Sequence, residues 1–203
     1  MRDSSIAWIA AATHAVAAAA MLLVMRRGLP EFTEADRLTF FATQRLAWTL
    51  GWMTWQLAVL SLIALYAALA LRFRGALSIT AVAAATAGAA IDIATQMRYI
   101  AVLPELRGDA FARLDRELEV LTGYAANGLY TLGFALLVVA GRTFLPRNTI
   151  ALAVPVTISG FALALAALLH SVRWEVLSSA ILFPLFTLWL ILIALWLRKE
   201  SSS

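Results

Sequence analysis

Ala89-Ala90-Ile91-Asp92-Ile93-Ala94-Thr95-Gln96-Met97-Arg98-Tyr99 is the stretch whose reading decides the fold. It lies in the outer part of an otherwise apolar segment, about residues 76–103. A run of that length crosses a bilayer as a helix, which takes about 20 apolar residues. Asp92 is the only carboxylate inside a hydrophobic span of this chain. An aspartate at mid-membrane costs about 2.5–3.5 kcal/mol on insertion scales. A membrane helix here therefore calls for a partner, a hydrated cavity or a task for Asp92.

Working outward, the rest of the chain follows the same pattern. It is 63% hydrophobic and 14% charged over 203 residues, whereas a soluble domain is about 45–50% apolar and about 25% charged. Six apolar spans are legible, at about 6–25, 46–71, 76–103, 120–140, 149–169 and 176–197. The expected fold is all-α: a polytopic integral membrane protein, one domain over residues 1–203, built as a bundle of six transmembrane helices. The first span ends at Arg26-Arg27 and is longer than the apolar core of a signal peptide, so it is read as a membrane helix. Between it and the second, Thr33 with Asp36 has the form of a helix N-cap. Leu38, Phe40 and Phe41 alternate with charged residues there, which predicts a short interfacial helix before the second span. The connection Pro104–Glu119 is mixed in charge and is expected to be partly helical. No internal repeat is evident.

Composition also excludes functions. With no cysteine, disulfides and thiolate chemistry are absent. Of 16 basic residues, 15 are arginine; with so much alanine this reads as a bacterial coding bias. The arginines sit at helix ends and in loops, where the positive-inside rule accounts for them, so no nucleic-acid partner is expected. No HExxH, GxSxG or phosphate-cradling glycine loop occurs. Two histidines among scattered carboxylates are poor metal ligands. The reading leans away from an enzyme: no catalytic residue, cofactor or metal site is assigned.

Six spans place both termini on one side. Arginine counts alone lean toward calling the other side cytoplasmic, but its loops are longer and balanced by acidic residues. The terminal side has short connections that are almost purely basic, with Arg72, Arg74, Arg142 and Arg147. On that ground both termini are placed in the cytoplasm, at the inner membrane.

This topology gives each polar residue a depth. Asp92, Gln96 and Tyr99 share one helix face, and with Trp52, Tyr124, Asn127 and the deeper His14 they form a candidate ligand-binding set in the outer half. Arg45, Arg98, His170, Arg173 and Glu175 form a candidate outer rim. Each has a plainer reading. Asp92 is equally an ion pair with Arg98 or Arg45, and His14 and Asn127 are interhelical hydrogen-bonding residues. Trp48, Trp52 and Trp55 are an interfacial aromatic belt, and His170 and Glu175 are helix caps.

Leu145-Pro146-Arg147, Gly160, Phe183-Pro184 and Leu195-Trp196-Leu197-Arg198 resemble a family of uncharacterised bacterial six-span membrane proteins carrying a domain of unknown function. The resemblance covers the C-terminal third and implies a compact six-helix bundle with no established activity.

Three functional readings follow. The leading one is a pocket in the outer half of the bilayer for a small amphipathic or lipid-like molecule. The second is an accessory or scaffold subunit packing the small-residue faces 81–90 and 162–167 on a membrane partner or a second copy. The third is an intramembrane enzyme or proton-coupled carrier using Asp92 and His14. The partners expected are membrane lipids, with a homo-oligomer or a membrane-protein partner.

Overall fold

The computed structural model describes residues 3–201. They form α1 (Asp3–Leu23), α2 (Glu34–Thr43), α3 (Arg45–Phe73), α4 (Ala76–Ala101), α5 (Gly108–Glu119), α6 (Asn127–Ala140), α7 (Arg147–Leu168) and α8 (Val172–Glu200). A π-helical segment, Val120–Ala126, joins α5 to α6 without a break. The protein is all-helical, and six segments are long and apolar enough to cross a membrane: α1, α3, α4, the joined α5–α6, α7 and α8. The helix that carries the fourth begins at Gly108, ahead of the apolar run that starts near residue 120.

The spanning helices form a closed ring. α1 packs on α3, α3 on α4, α4 on α6, α6 on α7, α7 on α8, and α8 returns to α1. Small residues set the tightest contacts. A Cβ on Gly88 would lie 2.9 Å from the Ala126 carbonyl oxygen, and one on Gly133 would lie 2.7 Å from that of Ala81. Ala81, Ala85, Ala164 and Ala167 are buried within the chain. One side of each stripe is thus used in internal packing, as expected where backbones must approach closely in lipid, while Ala83, Ala87, Ala90 and Ala162 face outward.

Two cores fill the two ends of the ring. At the end carrying the termini, Leu62, Tyr66, Phe134, Leu137, Trp189 and Ile193 form one hydrophobic cluster. Arg72 binds Glu200 at 2.6 Å there and stacks over Trp196. At the other end, the amphipathic helices α2 and α5 pack onto the bundle. Phe40, Phe41, Phe111 and Leu114 turn inward onto Trp48, Trp52 and Tyr99. Thr33 caps α2 as its spacing predicts, accepting from the Asp36 amide at 3.2 Å. Arg37 then anchors α2 to α5. It is buried, donates to both Asp115 carboxylate oxygens at 2.6 and 2.7 Å, and donates through Nε to the Gly28 carbonyl at 2.9 Å. Glu34 accepts from the Gly108 amide at the start of α5. The cap is therefore two helices joined by charge-assisted bonds, not one helix lying alone at the interface.

Candidate functional site

Between the two cores lies a cavity of about 760 Å³. All six spanning segments contribute to its wall, together with the loop 28–31 beneath the cap. It reaches the surface between α1 and α8, where its lining residues Leu22, Val176 and Leu188 are themselves exposed. Most of the wall is apolar or aromatic, as in ligand pockets generally. Pro184 on α8 lines it and has no N–H to offer the Ala180 carbonyl one turn back.

A polar strip runs along one side. Asp92, Gln96 and Tyr99 occupy successive turns of α4, so the strip is about 10 Å long at 1.5 Å per residue. All three are buried. The Thr122 hydroxyl donates to one Asp92 oxygen, Tyr130 donates to the other at 3.3 Å, and the Gln96 amide reaches the same carboxylate. Every one of these partners is neutral. The expected ion pairs do not form, because Arg98 binds Glu117 and Arg45 binds Glu105 and the Ile100 carbonyl. Both arginines lie at the helix end and reach outward to the cap, a full turn or more beyond Asp92.

The π-helical segment places Thr122. Its wider turn holds one residue more than an α-helical turn, a feature common at functional sites. Gly123, one residue on, lets α7 approach, since a Cβ there would lie 2.5 Å from that of Ala167. Glu119 sits one turn toward the cap from Thr122 and lines the cavity with Glu175 of α8. The two carboxyl groups are within hydrogen-bonding reach of each other. His170 Nδ1 lies 3.2 Å from Glu119. His170 is held at φ 52, where the His170 and Ser171 amides bind the Ala167 and Ala166 carbonyls and close α7 in a Schellman motif. A non-glycine residue in that conformation costs about 1–2 kcal/mol.

Aromatic side chains form the adjoining wall. Trp52 stacks on Tyr99 at 4.7 Å, Trp48 donates to the Tyr99 carbonyl at 2.9 Å, and Trp55 meets Phe183 of α8 at 5.0 Å. The tryptophan stripe is thus an inward wall and not a belt toward headgroups. Five cavity-lining side chains carry a buried polar atom with no hydrogen-bond partner among the described residues: Trp52 Nε1, Trp55 Nε1, Gln96 Oε1, Glu119 Oε1 and Glu175 Oε1. Native interiors leave few such groups, so their concentration on one cavity is informative.

Of the residues singled out by sequence, His14, Trp52, Asp92, Gln96, Tyr99, Asn127 and Glu175 line this one cavity. Tyr124 does not: it is 44% exposed, on the side of the segment away from Thr122. His14 spends Nδ1 on its own Ala10 carbonyl at 2.8 Å and meets Phe186 edge-on. Among the described residues no hydrogen bond joins it to Asp92. Asn127 donates to the Gly160 carbonyl at 2.9 Å, tying α6 to α7. Arg173 lies off the cavity, in a shallow cleft with Arg26 and Glu31. Glu119, Thr122 and Tyr130 were not singled out, although they share one face at helical spacing. Among the described residues no cluster of histidine and carboxylate side chains is arranged to hold a metal. The chain has no match among protein-family models, curated proteins or solved structures.

Proposed function

We propose that this integral membrane protein binds a small amphipathic or lipid-like molecule in the ring cavity, with its polar head at the Asp92–Glu175 strip. The observation that carries the reading is the pairing of an apolar cavity with five cavity-lining side chains whose buried polar atoms lack partners. An opening between α1 and α8 supports entry from the lipid phase, as an amphiphile requires. The charge pattern of the loops supports an inner membrane with both termini in the cytoplasm, which sets the cavity in the outer half. The alternatives have less behind them. The small-residue stripes spend their buried side within the chain, and among the described residues His14 and Asp92 share no hydrogen bond.

The test is thermal unfolding of the purified protein against a panel of phospholipids, fatty acids and single-chain amphiphiles. A true ligand at about one hundred times its Kd should raise Tm by about 5–10 °C. The gain should vanish in Ser179→Phe, which fills the cavity from α8, and in Trp52→Ala. A panel in which no compound distinguishes wild type from Ser179→Phe would remove the reading.

A further inference from the structure

Charge and hydrogen-bonding capacity at the strip select among amphiphiles. Two cationic side chains line the cavity, and both are engaged: Arg37 by Asp115, and Arg26, itself largely exposed, by Glu31 at 3.1 Å. The carboxyl groups of Asp92, Glu119 and Glu175 line the same wall, and among the described residues none is paired with an arginine or lysine; the His170 ring meets Glu119 through Oε2, leaving Oε1 open. The cavity therefore carries an excess of acidic groups over available cations.

The unpartnered atoms along the strip have a common sign. Gln96 Oε1, Glu119 Oε1 and Glu175 Oε1 are all acceptors, and Gln96 and Glu119 are 1% and 8% exposed. Three buried acceptors call for a group that brings several N–H or O–H donors and no acceptor of its own. A primary ammonium has that inventory: three donors on one compact positive charge. Two carboxyl groups within bonding reach of each other also require a proton or a cation between them. The stacked Trp52–Tyr99 pair adds an aromatic face beside the strip, which attracts a cation further. The indole N–H groups of Trp52 and Trp55 are donors and are left to other atoms of the ligand.

We propose that the cavity selects an amphiphile whose head is a protonated primary amine, held among Gln96, Glu119 and Glu175, with its apolar tail toward the opening between α1 and α8. This rests on the cavity being a ligand site. A quaternary ammonium has the charge without the donors, a fatty alcohol has one donor without the charge, and an alkyl sulfate has the wrong sign.

The experiment uses the full chain in phosphatidylcholine nanodiscs, titrated with decylammonium, decyltrimethylammonium, decanol and decyl sulfate below their micelle concentrations. Binding is read by tryptophan fluorescence and thermal unfolding. Decylammonium should bind at least tenfold more tightly than the other three. Glu119→Gln with Glu175→Gln should remove that preference. If all four bind alike, and each loses binding in Ser179→Phe, the amine proposal is overturned while the cavity reading stands. If none responds to Ser179→Phe, both fall. Should the double glutamine variant fail to fold, the ligand series on the native chain decides alone.

Discussion

The hydroxyl of Thr122 donates to the carboxylate of Asp92, and this bond crosses from the π-helical segment of the fourth span to the third. It makes Asp92 a carboxylate held by neutral partners in a ring whose arginines are committed elsewhere. That distinction has a measurable consequence. Breaking a buried ion pair by removing one partner costs about 3–5 kcal/mol. Asparagine at position 92 keeps an oxygen for Thr122, turns its amide to the Tyr130 hydroxyl, which can accept from it, and removes a buried charge that has no counter-ion. Asp92→Asn should therefore leave Tm unchanged or raise it. A large loss, restored by neutralising Arg98 or Arg45, would return Asp92 to the ion-pair reading.

The same bond should appear as a coupling. Thr122→Val keeps the shape and removes the donor. Hydrogen bonds to charged groups contribute about 1.5–3 kcal/mol in soluble proteins, but interhelical bonds within membranes average about 0.6 kcal/mol. A double-mutant cycle between Thr122→Val and Asp92→Leu should give a coupling of about 1 kcal/mol, read by reversible unfolding in mixed micelles. Zero coupling would mean that the π-helical turn has no role in holding the carboxylate.

The cap stands on Arg37. Its guanidinium is 3% exposed, bidentate on Asp115, and stacked at 4.9 Å over Phe111. Lysine has neither the planar fork nor the stacking face. Arg37→Met should be strongly destabilising, by about 3–5 kcal/mol, because it leaves Asp115 half-buried without its partner, and Arg37→Lys should cost less, since a single ammonium still meets Asp115 but loses the bond to Gly28. Arg37→Met with Asp115→Leu should recover much of the loss. Proteolysis of the loops 29–33 and 102–107 is a direct readout of whether the cap has lifted.

What was legible beforehand follows from which signals are local. Hydrophobic run length marks the six crossings, since a bilayer demands about 20 apolar residues wherever they occur. The Thr33 cap is legible because its partner is three residues away. Asp92 stands out because a charge in lipid is costly anywhere. Helix adjacency was not legible, and the fate of Arg98 and Arg45 turned on it: their acidic partners Glu117 and Glu105 lie on the cap and its approach. Glu119 and Thr122 were missed for a related reason. Taking the fourth span to begin at residue 120 separated them, although Glu119, Gly123, Asn127 and Tyr130 recur at helical spacing across that boundary. Tyr124 was misplaced because depth alone does not say which face of a helix turns inward: it lies about half a turn round from Thr122.

Glycine substitutions should divide by what a Cβ would meet. At Gly133 it would lie 2.7 Å from the Ala81 carbonyl and 3.3 Å from the Ala85 Cβ, both fixed atoms of α4. Gly133→Ala should cost about 1–3 kcal/mol by overpacking the α4–α6 contact. At Gly128 the nearest neighbour is the Ala164 Cβ at 3.8 Å, an ordinary contact. Gly128→Ala should be neutral or stabilise by up to about 1 kcal/mol, since alanine favours the helix interior. Equal effects in thermal unfolding would contradict the close α4–α6 packing.

The opening between α1 and α8 gives the last prediction, and the chain is well suited to it because it contains no cysteine. Ser179 lines the cavity on α8 and is half-buried. Ala85 and Ala194 are fully buried in the core at the terminal end of the ring. A maleimide that partitions into lipid can reach Ser179→Cys by passing between Leu22 and Val176, without crossing the cap. A charged, bulky maleimide in water meets the cap first, where α2 and α5 are joined through Arg37 and Asp115. Ser179→Cys should therefore react rapidly with the lipid-soluble reagent and slowly with the charged one, while Ala85→Cys and Ala194→Cys react with neither in the folded protein. Adding Arg37→Met to Ser179→Cys should raise the rate of the charged reagent alone, because it lifts the cap without altering the lateral route. Equal rates for the two reagents in the unmodified cap would place the entrance on the aqueous side and remove the argument for a ligand arriving from the membrane.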